Sequence, residues 1–150
     1  MNKGFFITMV VAIISGAFLG NFLFERYKEE DKAVLKETNS LYFFIEGVYN
    51  NKSQAEKSSE NVKVKLITKE DANYVTYLAI TKDEANLEKL EKLFKKLKVN
   101  ATIKKMSINN KEFLTILEQM DLLLKKTNQN EELLAVNEVV LSNYQDLVLE

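Results

Sequence analysis

The chain has 150 residues, with 21 lysine and arginine side chains set against 22 aspartates and glutamates, and a formal net charge of −1. It contains no histidine, cysteine, tryptophan or proline. Those absences exclude an imidazole base, a thiol nucleophile, a Ser-His-Asp or Cys-His site and a histidine- or cysteine-ligated zinc, and the near-zero charge sets up no global field for a polyanion.

From Gly4 to Phe24 the sequence reads GFFITMVVAIISGAFLGNFLF, with no charge and only Thr8, Ser15 and Asn21 as polar side chains. A helix of roughly 20 mainly apolar residues spans a bilayer. Residues 1–24 are therefore predicted to be a transmembrane anchor. Ser15-Gly16-Ala17 resembles a signal-peptide cleavage site, but the apolar run continues beyond it through Phe24, which favours an uncleaved helix. Ala12, Gly16 and Gly20 recur every fourth residue and place small side chains on one face, where a second membrane helix can pack closely. Lys3 precedes the segment, while Arg26, Lys28 and Lys32 follow it, so the charge rule alone does not direct the C-terminus outward.

Residues 25–40 are charged, end in Thr38-Asn39-Ser40, and read as a stalk or linker. Leu41 to Tyr49 is rich in aromatic and β-branched residues and predicts a strand. Asn51 with Gln54 has capping-box spacing and predicts a short helix from Lys52 to about Glu60. Val62 to Thr68 alternates as a half-buried strand, Lys69 to Asn73 reads as a polar turn, and Tyr74 to Ile80 reads as a third strand. Thr81 or Asp83 then caps a helix whose Leu87, Leu90, Leu93, Phe94 and Leu97 fall at helical spacing. Asn100 to Ile108 supplies a fourth strand, with Ala101, Ile103 and Met106 inward. Two amphipathic helices complete the chain. One carries the stripe Phe113, Ile116, Leu117, Met120, Leu123 and Leu124; the other carries Leu133, Val136, Val140, Tyr144 and Leu147. They form a helical hairpin over residues 109–150 that either docks on the domain or presents its stripes to a partner.

The order β-α-β-β-α-β predicts an α+β, ferredoxin-like split βαβ fold over residues 41–108: a four-stranded antiparallel sheet with two helices, flanked by the membrane helix and the hairpin. Its halves read as copies, since Tyr42 aligns with Tyr74, Val48 with Ile80, Glu56 with Glu88 and Lys57 with Lys89. Within these halves, Phe43-Phe44-Ile45-Glu46-Gly47-Val48-Tyr49 followed by the capped helix, and Tyr74-Val75-Thr76-Tyr77-Leu78-Ala79-Ile80 followed by its helix, resemble the SPOR domain (sporulation-related repeat). The resemblance implies a single-pass protein of the bacterial cell membrane, with its N-terminus cytoplasmic and its repeat domain extracytoplasmic. It further implies binding to peptidoglycan glycan strands in cell division or spore envelope assembly, without catalysis, metal or cofactor. Under that alignment Phe43, Ile45, Val75 and Tyr77 form an open sheet face for the glycan, joined by Asn73, and by Glu46 if the register slips by one. Without the slip, Glu46 points toward the helices. Ile45 stands where the family's strand carries glutamine, and Ala79 where the second repeat carries glycine.

Other chemistry is weaker. Glu29-Glu30-Asp31, Glu70-Asp71 and Asp83-Glu84 are adjacent acids in turns rather than carboxyls facing one another across a cleft. Lys89, Lys92, Lys95, Lys96 and Lys98, with Lys104 and Lys105, read as the wet face of a helix or a patch for an anionic wall polymer. The strand order also suits an RNA-recognition module, but its glycine- and aromatic-rich signature is missing, Arg26 is the single arginine, and no nucleic acid is expected. A further reading is a membrane-tethered assembly factor that has lost glycan affinity and contacts envelope or division proteins.

Overall fold

The computed structural model describes residues 40–149. The predicted membrane helix, its Ala12, Gly16 and Gly20 face, and the stalk up to residue 39 lie outside the described residues. Among those described, no helix is long and apolar enough to cross a membrane.

The fold is α+β. Strands β1 (Ser40–Tyr49), β2 (Leu66–Glu70), β3 (Asn73–Thr81) and β4 (Thr102–Ser107) form one sheet in the order β2-β3-β1-β4. All three pairings are antiparallel. Helix α1 (Lys52–Ser58) links β1 to β2, and α2 (Leu87–Lys96) links β3 to β4. Helices α3 (Lys111–Lys126) and α4 (Asn130–Tyr144) follow, with a π-helical turn over Gln145–Leu149.

Local chemistry sets most boundaries. Asn51 caps α1 as its spacing predicts, its side-chain oxygen accepting from Gln54 N at 2.9 Å. Asp83 accepts from Ala85 N at 2.9 Å and starts a 3-10 turn, Glu84–Asn86, that leads into α2. Asn110 accepts from Phe113 N at 2.9 Å and caps α3. Its amide also donates to the Leu147 carbonyl at 2.6 Å, tying the start of α3 to the chain's end. Side chains that satisfy free N–H groups at a helix start each contribute about 1 kcal/mol.

The second strand departs from expectation. Alternation over Val62–Thr68 predicts pairing from Val62, yet β2 starts at Leu66 and runs on through Lys69 and Glu70. Val62 is instead buried in the turn after α1, where its N–H donates to the Ser59 carbonyl at 3.0 Å. The tight reversal then falls at Asp71-Ala72, with Asp71 at φ 51°. Aspartate is among the few residues that enter the left-handed region readily, so the predicted polar turn shrinks into the hairpin.

Neighbouring residues of a strand point to opposite faces, and Phe43 and Phe44 show what covers each. Phe44 packs on Phe94 of α2, ring centroids 5.5 Å apart. Phe43 packs on Tyr144 of α4 at 5.4 Å. The sheet therefore lies between α2 on one side and the α3–α4 hairpin on the other. Of the predicted β4 residues, Ile103 stands opposite Phe44 and Met106 opposite Leu41, so they serve opposite faces rather than one interior.

Helix α2 ends in a Schellman arrangement. Val99 N donates to Phe94 O at 3.0 Å, and Lys98 N to Lys95 O at 3.1 Å, which places Lys98 at φ 57°. Glycine is the usual occupant of that position because a Cβ is disfavoured there. Lys98→Gly is expected to raise stability by up to about 1 kcal/mol, read as a higher urea midpoint at unchanged slope.

Candidate functional site: an aromatic sheet face beneath a helical hairpin

The predicted ligand face is assembled as a face, but it is not open. Ile45 stands opposite Tyr77 across the β1–β3 ladder, and Val48 opposite Val75. Phe43 and Tyr77 meet edge-on at 5.5 Å. Tyr144 closes on both, 5.4 Å from Phe43 and 5.8 Å from Tyr77, and Phe113 of α3 packs on Tyr144 at 5.5 Å. Phe43 is 0% exposed, Tyr77 1%, Val75 6% and Ile45 9%. The expectation of an uncovered platform is corrected on this point: the chain's own C-terminal stripes occupy it. The cause is apolar area, because a sheet face carrying these four side chains and two amphipathic helices each need a partner surface, and each supplies the other's.

Two of the six residues predicted to meet a glycan lie elsewhere. Glu46 falls at an irregularity of the β1–β3 ladder, where Ile45 pairs with Tyr77 but Gly47 pairs with Thr76, making Glu46 an extra, bulged residue. It turns toward α1 and accepts from the Tyr49 hydroxyl at 2.8 Å and from Ser58 Oγ at 2.7 Å. Its carboxylate is thereby half-buried but satisfied. Asn73 opens β3 opposite Glu70 and is exposed. The structure thus brings Phe43, Ile45, Val75 and Tyr77 together and leaves Glu46 on the α1 side of the bulge.

The polar part of this face belongs to Tyr77. Its hydroxyl donates to Glu70 at the far end of β2. Burial, and then the Glu70 carboxylate, push the Tyr77 phenol well above its ordinary range. Burial likewise pushes Tyr144 up to about 12. Both phenols stay neutral throughout the physiological range, as an aromatic core requires.

A polar seam joins the hairpin to the β3–α2 connection. Asp121 of α3 is 4% exposed. Its carboxylate accepts from the Thr81 hydroxyl, from Lys82 N at 2.8 Å and from Asn86 Nδ2 at 3.1 Å. Asn86 also donates to the Asp121 carbonyl at 3.1 Å. Lys82 Nζ pairs with Glu118 at 3.0 Å, and Lys125 pairs with Asp83. Lys89 of α2 spends its ammonium on the carbonyls of Leu124 at 2.6 Å, Lys125 at 3.0 Å and Thr127 at 2.8 Å. A cation on these free carbonyls caps the C-terminus of α3 and complements its dipole. Composition and motifs do not point to this seam. Its one signal in the sequence is an acid set inside an apolar stripe, Asp121 between Leu117, Met120 and Leu124.

Other buried polar groups lack partners among the described residues. They are Thr76 Oγ1, Asn86 Oδ1, Gln119 Nε2 and both polar atoms of Asn137. Asn137 is 0% exposed on the inner side of α4. An unpartnered amide in such surroundings costs on the order of 1–3 kcal/mol.

Between α2 and the α3–α4 turn lies a groove of about 330 Å³, lined by Lys89, Lys92, Lys96, Asn128 and Asn130 among others. Lys89 is committed to capping α3, and Lys92 pairs with Glu88 on its own helix. The predicted basic patch is to that extent structural. No group of three or more acidic, histidine or cysteine side chains among the described residues can hold a metal ion. No protein-family model, curated protein or solved structure matches the chain.

Two substitutions separate the favourable polar groups from the costly ones. Asp121→Leu removes the side-chain acceptor of Lys82 N and one acceptor each of the Thr81 hydroxyl and Asn86 Nδ2, and is expected to destabilise by about 2–4 kcal/mol. Asn137→Leu, of similar volume, removes an unsatisfied amide and is expected to stabilise by about 1–2 kcal/mol. Urea denaturation followed by far-UV circular dichroism measures both.

Proposed function

We propose that this protein is a non-enzymatic, membrane-tethered interaction module of the bacterial envelope, with a degenerate SPOR-like domain on the ferredoxin-like split βαβ plan. Its apolar N-terminal segment anchors it as a single-pass protein with the domain outside the membrane, and its partners are envelope or division proteins. The strand order β2-β3-β1-β4 supports the fold reading, because that is the order in which two interleaved βαβ halves assemble.

One observation carries the choice of partner class. Phe43, Ile45, Val75 and Tyr77, which a glycan would have to stack on, are buried, and Tyr144 packs on the Phe43 and Tyr77 rings. A site that discriminates a sugar also needs hydrogen-bonding groups aimed at it. On this face the Tyr77 hydroxyl is engaged by Glu70, and on the α1 side Glu46 is held by Tyr49 and Ser58. The closed domain therefore offers a carbohydrate neither the Phe43 and Tyr77 rings nor the Tyr77 hydroxyl. Its contacts with other proteins use the outer surface of the helices.

Co-sedimentation with purified sacculi tests this reading. The detergent-solubilised full chain, incubated at neutral pH with intact and with amidase-treated sacculi, is expected to stay in the supernatant with both. Selective retention on amidase-treated material, lost on Tyr77→Ala in a variant that still folds, overturns the reading in favour of glycan binding.

A further inference from the structure

We propose that the α3–α4 hairpin is a cover that opens as a unit from the sheet and closes more tightly in acid than at neutral pH, with Asp121 as its catch. The inference goes beyond the reading above, which concerns the closed domain. It would stand or fall whatever partner the domain has.

Connectivity makes separate opening possible. Every strand pairing lies within residues 40–107, and both helices of the cover come after that stretch. Lifting residues 111–149 breaks no ladder hydrogen bond and leaves α1 and α2 in place on the rest. Contiguous segments of this kind are the units that open below the global unfolding free energy.

The two helical layers also differ in what they bury. Leu90, Leu93 and Phe94 of α2 are apolar throughout. The cover buries Gln119 and Asp121 on α3 and Asn137 on α4. The amide nitrogen of Gln119 and both polar atoms of Asn137 lack partners among the described residues. Water would satisfy these amides in the open state, so they favour opening.

The catch lies where the cover meets the core domain. Three donors reach the Asp121 carboxylate, all from the segment Thr81–Asn86. The charged side chains of that segment are Lys82, Asp83 and Glu84, the last engaged by the Tyr42 hydroxyl, and those on the same stretch of α3 are Glu118 and Lys125. Lys82 pairs with Glu118 and Lys125 with Asp83. The three donors on the Asp121 carboxylate are uncharged: a hydroxyl, a backbone N–H and a side-chain amide. Burial is the main cause that lifts the Asp121 carboxyl from 3.8 to about 6, with repulsion from Asp83 adding to it, against the opposing hydrogen bonds from Thr81, Lys82 and Asn86.

The surroundings suit both protonation states. The Thr81 hydroxyl lies 3.4 Å from the Asp83 carbonyl and accepts from Asp83 N at 3.1 Å. When Asp121 is ionised, Thr81 donates to it. When Asp121 takes up a proton, that proton goes to Thr81 Oγ1, and the threonine proton turns to the Asp83 carbonyl. Lys82 N keeps its acceptor on the other carboxyl oxygen in both states.

The direction of the effect follows from linkage. In the open state Asp121 meets water and keeps its ordinary value of 3.8; in the closed state it titrates near 6. Between these values the closed form holds a proton that the open form has lost. Closure is therefore strongest below the lower value, weakens as pH rises through the window and is constant above the upper one. A difference of about two units corresponds to about a 100-fold change in the opening equilibrium.

Hydrogen exchange on the full chain in micelles, corrected for intrinsic rates, tests this between about pH 4 and pH 8, the span that brackets the linkage window. Amides of α3 and α4 are expected to be less protected than those of β1 and β3 at every pH. Their protection is expected to fall by about 100-fold across the window, and that of β1 and β3 to fall with it from a higher level, since global unfolding exposes Asp121 as well. In Asp121→Asn, a neutral mimic of the acid form, the hairpin profile is expected to be flat. Equal protection of hairpin and sheet overturns separate opening, and a hairpin profile without the fall overturns the acid dependence. The wild-type protein alone decides both. A fall that persists in a folded Asp121→Asn variant overturns the role of Asp121.

Discussion

The packing of Tyr144 against Phe43, Tyr77 and Phe113 is the contact on which the rest of the domain depends. A sheet spanning 40–107 has two apolar faces, and α2 serves the one that holds Phe44. The other face holds Phe43 and Tyr77, and large aromatic side chains of this kind each gain roughly 2–3 kcal/mol on leaving water. A single ring on α4 reaches both strands and α3 together. Edge-on geometry at these separations adds to the area term, because the positive rim of one ring meets the negative face of another. The hairpin is thus a third layer of the domain. Any function assigned to the sheet must first account for it.

Much of this was legible in the sequence. Strand and helix order followed from β-branched and aromatic runs set against stripes at 3.6-residue spacing. Asn51 was readable as a cap, and Asp83 as one of two candidates with Thr81, because a short polar oxygen just before a helix has few other uses. The alignment that the family resemblance implies also put Phe43, Ile45, Val75 and Tyr77 on one face, a grouping that the ladder keeps. Periodicity could not tell what covers that face, since a stripe such as Leu133, Val136, Val140 and Tyr144 has the same period whether it meets its own sheet or another protein. The β2 boundary was missed for a related reason. Val62 and Val64 alternate with lysines as a strand does, but Val62 finds its burial in a turn held by Ser59. Burial, not pairing, was what the pattern recorded.

The seam around Asp121 was less legible because its members lie far apart in sequence and are individually ordinary. Thr81 and Asn86 belong to a strand end and a 3-10 turn, while Asp121 sits nearly three turns into a later helix. Polar residues interrupting an apolar stripe were the available signal, and Asp121, Gln119 and Asn137 all carry it. The structure sorts them by outcome. Asp121 finds three donors, whereas Gln119 and Asn137 are left with orphaned atoms. A specific polar match and an unsatisfied one look alike until the fold brings the partners together.

That sorting bears on how the layers were put together. A layer meant only to add stability would gain from leucine at 119 and 137, where the buried amides are left with orphaned atoms. The α2 layer is built that way. The hairpin layer instead exchanges some of that stability for a fixed docking register, because Asp121 meets Thr81, Lys82 and Asn86 in one alignment only, and Lys89 engages the C-terminus of α3 only when that alignment holds. An interface held by apolar area and aligned by a few directional polar contacts is specific without being maximally tight. Those properties suit a layer that docks and undocks reproducibly, and they set the hairpin apart from the permanent interior on the other side of the same sheet.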